Sequence, residues 1–359
     1  MRKKRIILIS SSTGGHALPV LEIYDELREN GAEPIIFHSG SKIELELFKN
    51  TKSIKILSGK LHRRFSLINF WEGLKLIVGF IQSFILLVYF RPRSIFSKGG
   101  FCALPVLSNA NLLRIPFSLH ESDSIIGLTN KLFLNRASKV FLSFPLSIYS
   151  EKLPPNAIYS GLIVRKSISN TKRKTSYNAK PQIFITGGSQ GAVSMNNLIF
   201  EILPSLLKKY DIVHQVGRHS YEKAVKINET LENRDGEYYF FDFSMQKGEK
   251  AMISSDLIIC RAGANTIGEL AALSKAAILI PYRYASADHQ LKNAKFFERA
   301  NAAILLREEN LNGKTLMDRI EYLLSDNKNL QTLGQNCSKA IKHDGLCEIS
   351  QFLLKDMKD

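Results

Sequence analysis

Apolar and polar positions follow two alternating rhythms along the first half of the chain. Short apolar runs at 5–10 (RIILIS), 33–39 (EPIIFHS), 93–98 (RSIFSK), 115–120 (IPFSLH) and 138–143 (SKVFLS) end near polar or glycine residues, and the segments between them are helix-length. This alternation predicts right-handed βαβ units, and hence a parallel sheet with helices on both faces. A polar, basic stretch without periodicity at 166–181 (KSISNTKRKTSYNAKP) reads as a linker or domain edge. The rhythm restarts at 182–191 (QIFITGGSQG) and continues through 211–217, 237–243, 255–263, 275–282 and 301–307. Both halves read as doubly wound α/β domains, each offering strand carboxyl ends to a cleft between them, where a ligand is expected.

One segment breaks the rhythm. Residues 65–90 (FSLINFWEGLKLIVGFIQSFILLVYF) form a long apolar stretch holding the only tryptophan, Trp71. About 20 apolar residues can span a bilayer, but Glu72, Lys75 and Gln82 interrupt this stretch. A span here would also split the first sheet, so a core helix is expected over 76–90. The flanks point elsewhere. From Lys52 to Lys98 there are nine Lys and Arg against one acid, Glu72. Lys60, Arg63 and Arg64 directly precede Phe65, Leu67, Ile68, Phe70 and Trp71. That mixture fits docking on an anionic lipid surface, at about 1 kcal/mol per well-placed cation. Lys60, Arg63, Arg64, Phe65, Ile68 and Trp71 are the expected membrane contacts, against the alternative of a core helix with basic caps.

Composition narrows the class. With 359 residues the chain has room for two domains, and 45% hydrophobic with 23% charged residues is ordinary for a globular protein. The formal charge of +16 favours an anionic partner: nucleic acid, a phosphorylated substrate or a lipid surface. Cys102, Cys260, Cys337 and Cys347 form no CxxC pair and no metal-ligand spacing, which fits a reducing cytoplasm. Too few apolar residues follow the basic start MRKKRIILIS for a secretory leader.

Four stretches carry candidate chemistry. Gly14 and Gly15 with His16 sit where the first strand turns into a helix, a place where something approaches the backbone closely. Gly187, Gly188 and Gly191 bring free N–H groups to a helix start, a ready anion site to which Ser189 and Gln190 can add side-chain bonds. No Lys-Ser/Thr pair follows, so this is not a P-loop. Gly263 repeats the device, and Glu269 lies one to two turns into the next helix, at a depth from which an acid reaches ribose hydroxyls. Asp288, His289, Gln290 and Asn293 can all hydrogen-bond to sugar hydroxyls. Histidines are scattered and there is no DxD pair, so no metal site is expected.

These stretches in this order (SSTGGHALPVLEI, SKGGFCALPV, HESDSIIGLTNK, ITGGSQGAVSMN, and RAGANTIGELAA with DHQLKNA) resemble the MurG family of glycosyltransferases from about residue 8 to 305. The resemblance implies an α/β fold of GT-B architecture, two Rossmann-like doubly wound domains facing a central cleft. It places an acceptor-binding, membrane-associating domain at 1–163, a UDP-GlcNAc-binding domain at 164–343, and a helix at 344–359 that returns to the first domain. It implies inverting transfer of GlcNAc from UDP-GlcNAc to the C4 hydroxyl of MurNAc in lipid I, at the cytoplasmic face of the plasma membrane. No cofactor, metal or nucleic acid is implied.

Residue by residue, the resemblance has Ser189, Gln190 and Gly191 hold the UDP diphosphate, aided by Arg165. Glu269 takes the ribose, His289 and Gln290 (with Asn293 close by) the GlcNAc, and Ser244 or Met245 the uracil. Thr13, Gly14 and Gly15 would admit the acceptor diphosphate. His16 is the candidate base, with Glu121 and Asp123 as rivals. Asp123 stands where many members carry Asn, and SGLIVR lacks the usual Asn-Pro before Val164 and Arg165. Two other readings remain: another GT-B UDP-sugar transferase with a lipid acceptor such as diacylglycerol, and a non-catalytic nucleotide-sugar or membrane-binding module.

Overall fold

The computed structural model of the chain describes residues 5–11, 14–59, 67–171, 180–188, 191–232 and 234–355, with side chains at 67–70 excepted. Thr13, Ser189, Gln190, Lys60, Arg63, Arg64, Phe65 and the side chain of Ile68 lie outside the described residues. The chain divides into two units, Met1–Arg165 with Lys342–Asp359, and Lys166–Ile341.

In the first unit β1 (Arg5–Ile9), α1 (Gly14–Glu29), β2 (Glu33–His38), α2 (Lys42–Leu47), β3 (Ser53–Lys55), α3 (Leu67–Phe90) and β4 (Ser94–Ser97) come first. They are followed by α4 (Ala103–Leu112), β5 (Phe117–Glu121), α5 (Leu128–Phe133), β6 (Lys139–Leu142) and β7 (Ala157–Tyr159). The seven strands form one parallel sheet in the order β3-β2-β1-β4-β5-β6-β7. Ile7 sits between Ile35 and Ile95 in register. Runs such as Ile6–Ile9 are buried on both faces, the reason they read as continuous apolar strings rather than alternating ones.

In the second unit α6 (Lys166–Ser169), β8 (Gln182–Thr186), α7 (Val193–Leu206), β9 (Asp211–Gln215), α8 (Tyr221–Thr230), β10 (Tyr238–Phe241), α9 (Met245–Ser254) and β11 (Leu257–Cys260) come first. Then α10 (Ala264–Ala272), β12 (Ala276–Leu279), α11 (His289–Arg299), β13 (Ile304–Leu305), α12 (Gly313–Leu324) and α13 (Asn327–Ala340) complete it. Its six parallel strands run β10-β9-β8-β11-β12-β13 around a core including Ile185, Ile199, Leu203, Ile259 and Ile278. The last helix, α14 (Gly345–Lys355), belongs to the first unit: Leu346, Ile349 and Leu353 join its core, and Phe352 meets Phe141 at 5.4 Å. Strand order reverses between β1 and β4 and again between β8 and β11. In an open parallel sheet such a switch point opens a crevice at the strand carboxyl ends.

A buried carboxylate braces the first of these crevices. Ser41 and Glu44 form a capping box at the start of α2. The Glu44 carboxylate also accepts hydrogen bonds from Ser10 Oγ at 2.8 Å and Ser39 Oγ at 2.6 Å. Burial alone would raise its pKa, but the bonds from Ser39, Ser41 and Ser10 outweigh it and hold the carboxyl below its ordinary range. A lowered folded pKa means stability that is present above the unfolded value and lost as pH falls through the folded one. Glu44→Ala is expected to cost about 2–4 kcal/mol at neutral pH, since buried hydroxyls lose a charged partner. Denaturant melts at pH 7 and pH 4 check it: the difference from the parent chain should shrink at the lower pH.

The expectation of a core helix over 76–90 is overturned. Helix α3 is 24 residues long, and only one face packs: Gly79, Ser83, Leu87 and Phe90 are buried. Asn109 Nδ2 donates to Phe80 O and Ser83 Oγ, while Gln82 bridges Lys55 O and Leu57 N. The other face leaves Leu74, Ile77, Val78, Ile81, Ile85, Val88 and Tyr89 exposed, continuous with Trp71 at 64%. By length and composition the segment from Trp71 to Phe90 could cross a membrane. The packed face instead ties it along its length to the unit.

Candidate active site

At the β1/β4 switch point, β1 runs through buried Ser10 and Ser11 to the Gly14–His16 start of α1. The neighbouring strand β4 is followed by Lys98, Gly99 and Gly100, both glycines at left-handed φ near +80°. A Cβ on Gly100 would stand 2.4 Å from Ser11 Oγ and 3.4 Å from His16 Cε1. Only glycine fits that turn, and it brings the backbone against His16. Beside it lies a cavity of about 280 Å³ lined by Ser11, Ser39, Gly40, Ser41, Ser58, Phe101, Glu72 and Lys75.

The β5 end supplies Glu121 and Asp123. Buried Glu121 Oε2 accepts from Gly127 N at 2.8 Å and Asn130 Nδ2 at 3.0 Å, and Oε1 accepts from Asp123 N at 3.3 Å. Burial, with the nearby Asp123 charge, pushes its pKa up to about 7 against those donors. Its lone pairs staple the 121–127 loop. Asp123 is half-buried and its carbonyl accepts from the Tyr149 hydroxyl at 3.0 Å. Thr129 Oγ1 donates to Gly100 O, closing this loop onto the glycine turn.

The second unit repeats the scheme at β8/β11. A Cβ on Gly187 would meet the Ala192 amide nitrogen at 2.5 Å, so the turn folds back on itself there. Gln215 Nε2 braces it by donating to Thr186 Oγ1 and Gly188 O. Gly191, at φ +72°, leads into α7. On adjacent β11, Gly263 is the N-cap of α10 and adds no side-chain cap, and Glu269 is buried on that helix. Asn293, expected among the sugar ligands, is instead buried and donates to Ala262 O, which fixes α11 beside the same turn. Gln290 Oε1 accepts from Tyr282 N at 2.9 Å. His289 Nδ1 meets Ser286 O at 2.9 Å; a carbonyl only accepts, so Nδ1 carries the proton. Ala287 and Asp288 before it both have left-handed φ, a strained pair of the kind found at ligand sites. Ser244 caps α9 by accepting from Lys247 N, with Met245 the first helical residue. Gly248 on the same helix packs against Gln215.

Two buried cations follow strand ends here, and the sequence alone does not single them out. Lys98 is buried at the end of β4. Arg261 is buried at the end of β11, where it donates to Ile280 O, Ser194 Oγ and Glu308 Oε1 and lies over the Tyr282 ring. Arg165, half-buried, ends the first unit's main segment. Among the described residues no three His, Cys, Asp or Glu side chains gather as a metal site. Burial raises the Cys102, Cys260 and Cys337 thiol pKa values, leaving these thiols protonated.

Comparisons with known proteins agree along the whole chain. The glycosyltransferase family 28 N-terminal domain matches residues 6–142 and its C-terminal domain residues 182–348. A UDP-N-acetylglucosamine–N-acetylmuramyl-(pentapeptide) pyrophosphoryl-undecaprenol N-acetylglucosamine transferase of Clostridium tetani is 36% identical over 89% of this chain and 90% of its own. The protein of that name from Clostridium kluyveri is 37% identical over 89% and 91%. In fold, the crystal structure of Acinetobacter baumannii MurG is similar with a TM-score of 0.80 at 24% identity, covering 98% of this chain and 99% of that one. The two parallel α/β units are those of the GT-B class, and the chain belongs to the MurG family of glycosyltransferases.

Proposed function

We propose that the protein transfers N-acetylglucosamine from UDP-GlcNAc to the C4 hydroxyl of N-acetylmuramoyl-pentapeptide on undecaprenyl diphosphate, converting lipid I to lipid II for peptidoglycan synthesis. The observation that carries this reading is the near-full-length match to transferases named for that reaction, with a glycine turn at each switch point. Inversion needs a single displacement: the acceptor oxygen attacks C1 of GlcNAc, the C1–O bond to UDP breaks, and UDP leaves with the electron pair. His16 takes the hydroxyl proton, since an imidazole titrates near neutrality. In the second unit Gly191, just before the start of α7, receives the diphosphate with Ser189 and Gln190 and stabilises its growing charge. Arg165 adds a cation to that task. Glu269 holds the ribose, His289 and Gln290 the GlcNAc, Asn293 keeps α11 in place, and Ser244 and Met245 flank the uracil. In the first unit Thr13, Gly14 and Gly15 admit the acceptor diphosphate and Asp123 contacts the acceptor sugar.

The enzyme is membrane-associated. We place it as a peripheral protein on the cytoplasmic face, with the exposed side of α3 in the lipid headgroup region and Lys60, Arg63, Arg64, Phe65, Ile68 and Trp71 as the lipid contacts. A helix held to its own unit along one face fits an interfacial position better than a span.

Glu269→Ala is expected to raise the KM for UDP-GlcNAc about 10- to 100-fold, the value of charged hydrogen bonds to a ribose, with a small effect on kcat. Initial rates over a range of donor concentrations check it. The function itself is tested with labelled UDP-GlcNAc and two acceptors in parallel, a lipid I analogue and diacylglycerol in vesicles. Disaccharide from the first is the expected product. Label in glycolipid alone would favour the diacylglycerol transferase instead.

A further inference from the structure

The reaction described above leaves Lys98 without a role. It is 2% exposed, at the point where β4 gives way to the Gly99–Gly100 turn. Its ammonium lies 3.0 Å from His120 Nδ1 and donates to Ser122 Oγ. An ammonium has no lone pair, so His120 Nδ1 must accept. The imidazole is then neutral with its proton on Nε2, which donates to Ser143 Oγ at 3.0 Å. Burial holds His120 well below its usual pKa, and the Lys98 charge adds to that.

A cation buried in a core carries a desolvation penalty of several kcal/mol unless charges and hydrogen bonds offset it. Burial pushes Lys98 down to about 8, opposed by the carboxylates of Glu121 and Asp123. A leucine or methionine would fill the same volume without that penalty. The charge lies where three pieces of the acceptor side meet: the glycine turn against His16, the end of β5, and the stapled 121–127 loop. Asn130 Nδ2 donates both to His120 O and to Glu121 Oε2, so the pieces are joined from a second direction.

We propose that Lys98 is a positioning residue for the acceptor half of the reaction: through Ser122 and His120 it holds the 121–123 segment and the Gly99–Gly100 turn where Asp123 and His16 meet the acceptor sugar. This rests on the function proposed above.

The test uses the full-length protein in vesicles. Lys98→Met keeps the side-chain length and removes the charge. It should lower kcat/KM for the lipid I analogue about 100-fold while the UDP affinity of the second unit stays within twofold. Ser122→Ala, which removes one of the two bonds and leaves the charge, should give about a 10-fold loss. Combined with Asp123→Ala, Lys98→Met should cost clearly less than the product of the two single losses, because both act through one segment. Ring ¹⁵N shifts of His120 should lose the pure Nε2–H signature in Lys98→Met. Parental acceptor kinetics in Lys98→Met, fully multiplicative losses with Asp123→Ala, or an unchanged His120 tautomer would each overturn the proposal. So would loss of UDP binding in step with acceptor activity, the mark of a merely structural residue. A parent chain that makes no disaccharide would sink the functional reading instead, and the His120 tautomer would still report on the Lys98 contact.

Discussion

Replacing His16 with alanine is expected to lower turnover by about 10²- to 10⁴-fold, the usual contribution of a positioned general base, while UDP binding is unchanged. The expectation comes from the packing of the first switch point. α1 begins at Gly14, so His16 lies in its first turn, and the Gly100 turn comes within van der Waals range of the imidazole. Two rivals stand nearby, and the geometry separates them. Glu121 has a raised pKa suited to proton transfer, but it is buried and both its oxygens already accept hydrogen bonds from its own loop. Its loss should therefore cost stability as well as rate. Asp123 is more open and better suited to contact the sugar. Steady-state kcat for the three alanine variants, set beside their melting temperatures, separates these roles. A His16→Ala enzyme with parental turnover would move the base to Asp123.

A second large effect is expected at the membrane. Glutamate at both Ile81 and Ile85 should weaken association with anionic vesicles by at least about 100-fold. Each side chain is more than half exposed, Ile81 at 55%. Burying an isoleucine in an apolar environment is worth about 1.5–3 kcal/mol, and two carboxylates near anionic lipid add repulsion. Because both isoleucines are more than half exposed, the variant should fold normally and keep its kcat on a water-soluble acceptor analogue. Vesicle sedimentation reads the partition directly. Undiminished binding would remove α3 from the docking surface, and resistance of the parent protein to alkaline extraction would mark a spanning helix instead.

The reason sequence misjudged α3 is physical. An apolar stripe has the same spacing whether it meets a core or a lipid surface, and what lies opposite is decided by the tertiary fold. The buried strands were easier to read, since a strand covered on both faces must be apolar throughout, as Ile6–Ile9 and Ile183–Ile185 are. Edge strand β3, Ser53–Lys55, has no such run and left no signal. Glycine turns were legible because a left-handed φ or a close approach leaves few other choices, as at Gly100 and Gly187. Lys98 looked like one more member of a basic stretch; its partners His120 and Ser122 lie 22 and 24 positions away. Glu44 carried a readable capping-box spacing with Ser41, but its bonds to Ser10 and Ser39 depend on the β1 and β2 ends lying side by side.

The most direct test of the central claim is the linkage in the product. Disaccharide formed from UDP-GlcNAc and a lipid I analogue should be isolated and its anomeric configuration and attachment point read by NMR. A β-linked GlcNAc on C4 of MurNAc is the expected result, since one displacement at C1 inverts the α-linked donor. An α-linked product, attachment elsewhere on the sugar, or release of free GlcNAc alone would contradict the account.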